Sequence, residues 1–271
     1  MARIGKLSSV LRESDDRAAA ASVVLRVADI LRAFVEGEDS ISIKDLSKQL
    51  ALAPSTLHRL LDQLVTAGLI ERSSGRRYRV SGEFSRIGAL AARKAGMLRL
   101  ARPVVQEVAR ETTETCMLGM LLPHTLTMMF VEKAVASAPV PYQIRMLRSR
   151  SLLWGATGLC LLAWLGRDAV ERVLRRGELS PLDGKAPPSS MELAERLAQI
   201  RAQGYALTRG EQTQDAVGIA APVFGADQKI VGDLCITLPR SRFSEAHQGQ
   251  LVNLLMRRAA SLSRLNGYSP G

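Results

Sequence analysis

With 271 residues, the chain is long for one domain and comfortable for two. Its 46% apolar and 23% charged residues exclude a chain disordered over most of its length. A net charge of +11, from 37 Lys and Arg against 26 Asp and Glu, favours a polyanionic partner: nucleic acid or an anionic membrane surface.

Cys116, Cys160 and Cys235 are odd in number and far apart, so no disulfide framework is expected. His58, His124 and His247 are equally scattered, and no C-x-x-C or H-x-x-x-H spacing calls for zinc. The first twenty residues lack the apolar stretch of a secretory signal. The longest uncharged apolar run, Ser151–Gly166, is shorter than the roughly 20 residues of a membrane span. The composition therefore predicts a soluble, cytoplasmic protein of a reducing compartment, without membrane, metal or cofactor.

Residues 1–17 show no sustained periodicity and read as a disordered tail. From Ala18 a helix pattern begins, with Val24, Val27, Leu31 and Phe34 at helical spacing and Gly37 ending the run. Ser42 and Asp45 make a capping box for a short helix that turns Leu46 and Leu50 inward. After Ala51-Leu52-Ala53, Pro54 suits the first position of another helix, where its missing N–H costs nothing. That helix, PSTLHRLLDQLVTAGL, buries Leu57, Leu60, Leu61 and Leu64, and Gly68 falls where a left-handed cap is expected. Two helices joined by a tight turn form a helix-turn-helix. The opposite face carries Ser55, Thr56, His58 and Arg59 instead of the Glu–Lys pairs of an ordinary solvated helix. Hydroxyls suit phosphates, and the Arg59 guanidinium can span a guanine edge with two hydrogen bonds.

Leu69–Arg72 and Arg76–Val80 read as strands around Ser73-Ser74-Gly75, with Tyr78 and Val80 inward. Arg72, Arg76, Arg77 and Arg79 stand against one glutamate in ten residues. A lone basic hairpin is usually a solvated edge. Placed directly after a helix-turn-helix, it reads as a wing that holds the backbone or minor groove and gains affinity by counterion release. Residues 18–82 thus form a DNA-binding domain. An alanine-rich helix at 83–97, with Phe84, Ile87, Leu90 and Ala91 on one stripe, links domains or pairs with a second subunit.

Residues 98–271 alternate between helix and strand patterns. Helices are expected at Leu100–Glu111 (opened by Pro103), within Leu152–Leu165, at Asp168–Arg176, Met191–Gln203 and Phe243–Leu265. Strands are expected at Cys116–Leu122, Thr125–Val131, Pro139–Leu147, Tyr205–Arg209, Val217–Val223 and Ile230–Thr237. Six strands with helices on one side of an antiparallel sheet make an α+β layout. No G-x-S-x-G elbow marks a nucleophile, and Cys160 and Cys235 sit in apolar sequence where a thiol is usually inert. Gly155, Thr157 and Gly158 at a helix entry offer amides to an anionic ligand or simply allow close helix–sheet packing.

SVVLRVADILRAF, LSKQLALAPSTLHRLLDQLVTAGLIER and RYRV, followed far downstream by GYALTRGEQTQDAVGIAAPVF and KIVGDLCITLPRSRF, resemble the IclR family of bacterial transcription regulators over roughly residues 20–267. The resemblance implies a winged helix-turn-helix, a linker helix and a GAF-like effector-binding domain. It also implies a homodimer or homotetramer on a double-stranded DNA operator, controlled by a small-molecule effector and acting as repressor or activator. The effector loop it implies is Leu153-Trp154-Gly155-Ala156-Thr157-Gly158, facing Thr208, Gly218, Cys235 and Thr237.

The chain departs from the family's pattern at Leu159, where a lysine is common, and at Asp215, where a glycine is usual. It departs also at Thr208, which lacks the acidic side chain of some members, and at Cys235, where a serine can occur. These changes leave fewer charged groups to fix a small acid. Trp154 with Met117, Met120, Met128 and Met129 would instead line an apolar or aromatic-ligand site. Two rival readings remain: a second domain that only oligomerises, and an enzyme using Cys160 or Cys235.

Overall fold

The computed structural model describes residues 23–94, 96–135 and 144–269. The chain divides between Lys94 and Ala95 into two compact units. The tail expected over residues 1–17 lies outside the described residues.

In the first unit, helix α1 (residues 23–36) sends Ile30, Ala33 and Phe34 into a core. Leu46 of α2 (Ile43–Leu50) and Leu57, Leu60, Leu61 and Leu64 of α3 (Pro54–Thr66) complete it. Ser42 caps α2, its hydroxyl accepting from the Asp45 N–H at 3.2 Å. Ala51 then takes a φ of 53°, turning the chain so that α3 starts at Pro54. Gly68, at φ 71°, lets the Leu69 N–H reach the Leu64 carbonyl at 3.0 Å and closes α3. Strands β1 (Ile41–Ser42), β2 (Ile70–Ser73) and β3 (Arg77–Val80) form an antiparallel sheet in the order β1-β3-β2. The hairpin was legible in the sequence; β1, two residues long, is too short to show a period of two. Helix α4 (Gly82–Lys94) follows.

The second unit opens with α5 (Gly96–Thr112), β4 (Thr115–Leu122) and β5 (Thr127–Ala134). Then come α6 (Gly155–Ala163), α7 (Arg167–Arg175) and α8 (Ser190–Gln203). Strands β6 (Ala206–Arg209), β7 (Ala216–Phe224) and β8 (Ile230–Pro239) precede α9 (Glu245–Leu265). The antiparallel sheet has the order β5-β4-β8-β7-β6.

Three expectations are corrected here. Helices cover both faces of the sheet, because the strands are apolar at both parities. Cys116, Leu118, Ile219, Leu234 and Ile236 pack with α5 and α9, whereas Met117, Met128, Phe130, Ala220 and Cys235 pack with α6, α7 and α8. Of the strand expected at 139–147, only 144–147 fall among the described residues, and these form loop and turn. Five strands, not six, make the described sheet. Pro103 lies inside α5 rather than at its start, at the loss of one backbone hydrogen bond. All nine residues of α6 are buried, so it has no polar face to advertise a helical period.

Candidate DNA interface and ligand cavity

On α3, Ser55, His58 and Arg59 are exposed opposite the leucine stripe, and Thr56 is half-buried. Arg59 lines a shallow hollow with Asp62, Gln63 and Thr66. The four hairpin arginines are not equivalent. Arg72 bonds Asp62 of α3 at 2.8 Å and Arg79 bonds Glu71 at 2.6 Å, both as exposed pairs. Such exposed pairs are weak and screened by solvent, so a phosphate can displace either carboxylate. Arg77 is only 33% exposed and is held on three sides. It donates to the Ser40 hydroxyl at 2.8 Å, to the Ser40 carbonyl, and to Glu38 at 3.2 Å. That guanidinium ties β3 to the chain entering β1. Arg76, at the tip with φ 58°, is exposed and makes no such tie among the described residues. Arg77→Ala is therefore expected to destabilise the first unit by about 1–3 kcal/mol. Its unfolding midpoint should fall while the salt dependence of DNA binding stays put.

In the second unit a cavity of about 630 Å³ lies between the sheet and the start of α6, a volume in the range of small-molecule sites. Trp154, Gly155, Ala156, Thr157 and Gly158 line it, as do Thr208, Gly218, Cys235 and Thr237. Strand register explains the meeting, since Gly218 pairs with Thr208 on one side and Thr237 on the other. Leu153 is not in the lining; it is 1% exposed within the core. Met117 and Met128 line the cavity with Phe130. Met120 and Met129, at the opposite parity, do not.

Gly155 has a φ of 80°, and a Cβ there would stand 2.6 Å from Gln212 Cγ, so the entry to α6 requires glycine. Its N–H is already used, donating to Glu211 Oε2 at 3.2 Å. The other Glu211 oxygen holds Arg196. A carboxylate of the chain thus occupies the amide that the sequence offered to a ligand, favoured there by the helix dipole.

Arg145 and Arg150 also line the cavity, which sequence reasoning missed. Their segment runs along β5, where Met128 and Arg150 exchange backbone hydrogen bonds of 3.0 and 2.8 Å. A signal was present: Arg145, Arg148 and Arg150 are three arginines in six residues just ahead of Gly155. The shortage of charge inferred from the departures is thereby corrected by residues outside the expected loop. Glu211, Gln212 and Thr213, from the loop after β6, were missed as well.

Asp233 on β8 is 0% exposed. It fills the space that Gly119 leaves open; a Cβ at Gly119 would stand 2.0 Å from Asp233 Oδ1. Neither carboxyl oxygen has a hydrogen-bond partner among the described residues, nor has the Thr157 hydroxyl. Burial pushes the Asp233 carboxyl up to about 7; the nearby Thr157 hydroxyl pulls the other way without completing a hydrogen bond. Burial also pushes the Cys235 thiol up to about 12 and the Cys116 and Cys160 thiols well above their ordinary value. All three are buried, the setting of a packing thiol rather than of an activated one. Among the described residues no group of three His, Cys, Asp or Glu is placed to hold a metal, and no helix is long and apolar enough to cross a membrane.

A helix-turn-helix with a basic hairpin, joined in one chain to a domain with a cavity of small-molecule size, is the arrangement of a transcriptional regulator. The family described as bacterial transcriptional regulator IclR C-terminal matches residues 89–264, and the IclR helix-turn-helix domain matches residues 23–74. The chain belongs to the IclR family of bacterial transcriptional regulators. It is 31% identical over 248 residues to the HTH-type transcriptional regulator KdgR of Escherichia coli K12, covering 91% of this chain and 93% of KdgR. A crystal structure from Silicibacter sp. TM1040, assigned to the IclR regulators, has a TM-score of 0.83 at 24% identity, covering 92% of this chain and 98% of that one. An IclR homolog of Microbacterium hydrocarbonoxydans, solved with 4-hydroxybenzoate, has a TM-score of 0.69 at 24% identity, covering 89% and 98%.

Proposed function

We propose that the chain represses or activates a metabolic or catabolic operon, and that a small organic carboxylate or aromatic effector in the cavity changes its affinity for the operator. In this reading residues 18–82 bind DNA, 83–97 form the linker helix, and 98–271 bind effector and oligomerise. The chain acts as a homodimer or homotetramer; Ile87 and Leu90, 43% and 41% exposed on α4, supply apolar area for self-association. The observation that carries the effector reading is the cavity of about 630 Å³, with Met117, Met128 and Phe130 on its apolar side and two arginines in its lining. The 4-hydroxybenzoate bound by the Microbacterium homolog is both a carboxylate and an aromatic.

Ser55, Thr56, His58 and Arg59 read the major groove in this proposal, while Arg72, Arg76 and Arg79 hold phosphates or the minor groove. Selecting duplexes from a random pool with the full chain supplies the operator. Against it, Arg59→Ala is expected to cost about 1–3 kcal/mol and to relax base choice at one position. Arg76→Ala should weaken all DNA alike and reduce the salt slope by about one. Equal losses on selected and random DNA for Arg59→Ala would sink that division of roles. If no carboxylate or aromatic acid alters operator affinity, the second domain serves assembly alone.

A further inference from the structure

We propose that Arg150, flanked by Arg145, is the anion receptor of the cavity and that the effector is a small monocarboxylate. Its carboxylate meets the guanidinium, and its uncharged body lies over Phe130 toward Met117 and Cys235. This deepens the effector reading of the cavity and rests on it.

Arg150 is half-buried, yet its guanidinium is poorly satisfied. Nε is buried without a hydrogen-bond partner among the described residues. The other two nitrogens make only long contacts to neutral oxygens: Nη1 with Gln212 Oε1 at 3.4 Å and Nη2 with the Arg145 carbonyl at 3.5 Å. Burial, and then the neighbouring Arg145 charge, disfavour its cationic form. An arginine in that state costs folding free energy that a ligand carboxylate recovers, because two parallel N–H···O bonds satisfy the fork.

The group is also held in place for that task. Its backbone is bonded to Met128, and its guanidinium carbon sits 5.5 Å from the Phe130 ring centroid. The acidic side chain lining the same cavity, Glu211, is already committed to Arg196 and the Gly155 amide. It leaves Arg150 unneutralised. One open guanidinium fork beside an apolar wall matches one carboxylate on an uncharged body. The remaining walls, Met117, Met128 and Cys235, suit an apolar body, with Thr208 and Thr237 available to a hydroxyl.

The test uses the full chain, thermal unfolding, and matched acid–amide pairs as probes: benzoate against benzamide and acetate against acetamide. Benzoate or acetate is expected to raise the midpoint more than its amide. In Arg150→Met that advantage should vanish, with affinity weakened about tenfold or more. The ligand-free variant should unfold at or above the wild-type temperature, since an apolar stem replaces an unpaired buried cation. Arg150→Lys keeps the charge without the fork. Should Arg150→Met unfold early, the lysine variant decides: a weakened acid response at an unchanged midpoint upholds the site, and a full response overturns it. Amides matching acids in the wild type overturn the proposal, as does an undiminished acid response in Arg150→Met. Acids that bind through Arg150 without altering operator retention leave the anion site standing and overturn the effector reading instead.

Discussion

Asp233→Asn is expected to stabilise the folded protein at pH 8 and to leave it nearly unchanged near pH 4. The wild-type carboxyl is pushed up to about 7 by burial, whereas an unfolded aspartate ionises near 3.9. Below about pH 4 both states hold the proton, and the buried group costs nothing through ionisation. Between about 4 and 7 the unfolded chain releases its proton while the folded chain keeps it. Stability therefore falls as pH rises, by at most about 1.4 kcal/mol per unit. Above about 7 the loss levels off, at about 4 kcal/mol in total. The groups around this carboxyl, the Thr157 hydroxyl and the Cys116, Cys160 and Cys235 thiols, stay neutral through that window, so the difference in slope between wild type and variant belongs to Asp233. Denaturant unfolding of both proteins from pH 4 to 8 measures it. Parallel curves for the two would show that the carboxyl is solvated or paired in solution.

Leu60→Ala is expected to destabilise the first unit by about 2–5 kcal/mol, the range for a buried leucine that leaves a cavity. Leu60 is 0% exposed in the core that joins α1, α2, α3 and the small sheet. A unit of about seventy residues has only about 4–11 kcal/mol to lose, and its midpoint should drop by about 10 °C or more. Operator binding falls because the folded fraction falls. Arg59→Ala, one residue earlier and on the exposed face, should do the reverse: weaken specific binding at an unchanged midpoint. Calorimetry beside a mobility-shift titration separates the two. An unmoved midpoint in Leu60→Ala would mean that the leucine stripe is not the core of the DNA-binding unit.

The contrast between those neighbours explains which parts of the molecule were legible. On α3 the stripe, the starting proline and the closing glycine all lie within fifteen residues, Pro54 to Gly68, and each acts locally. The same holds for the hairpin, whose turn needs Gly75 at φ 69°; the Thr208, Gly218, Cys235 and Thr237 cluster spans three strands and was reached only through resemblance. In β4, TCMLGMLL is apolar at both parities, which signals burial on both faces. Counting elements along the chain hid that and put every helix on one side. Arg145 and Arg150 were passed over because a loop has no period to read.

Sequence alone determined the α+β class, the helix-turn-helix with its basic hairpin, the family, and most of the α6 entry to the cavity. The helix-turn-helix and its hairpin rest on capping, turn chemistry and periodicity, which operate over a few consecutive residues; the family and the α6 entry were reached through resemblance. Only the tertiary structure decided which arginines are free to act. Arg77 is spent on Ser40 and Glu38, and Arg150 is poised beside Gln212, sixty-two positions away. It likewise decided that Asp233 lies buried against Gly119. Whether a charge is paired, screened or stranded depends on what folding brings around it, and those neighbours come from distant parts of the chain.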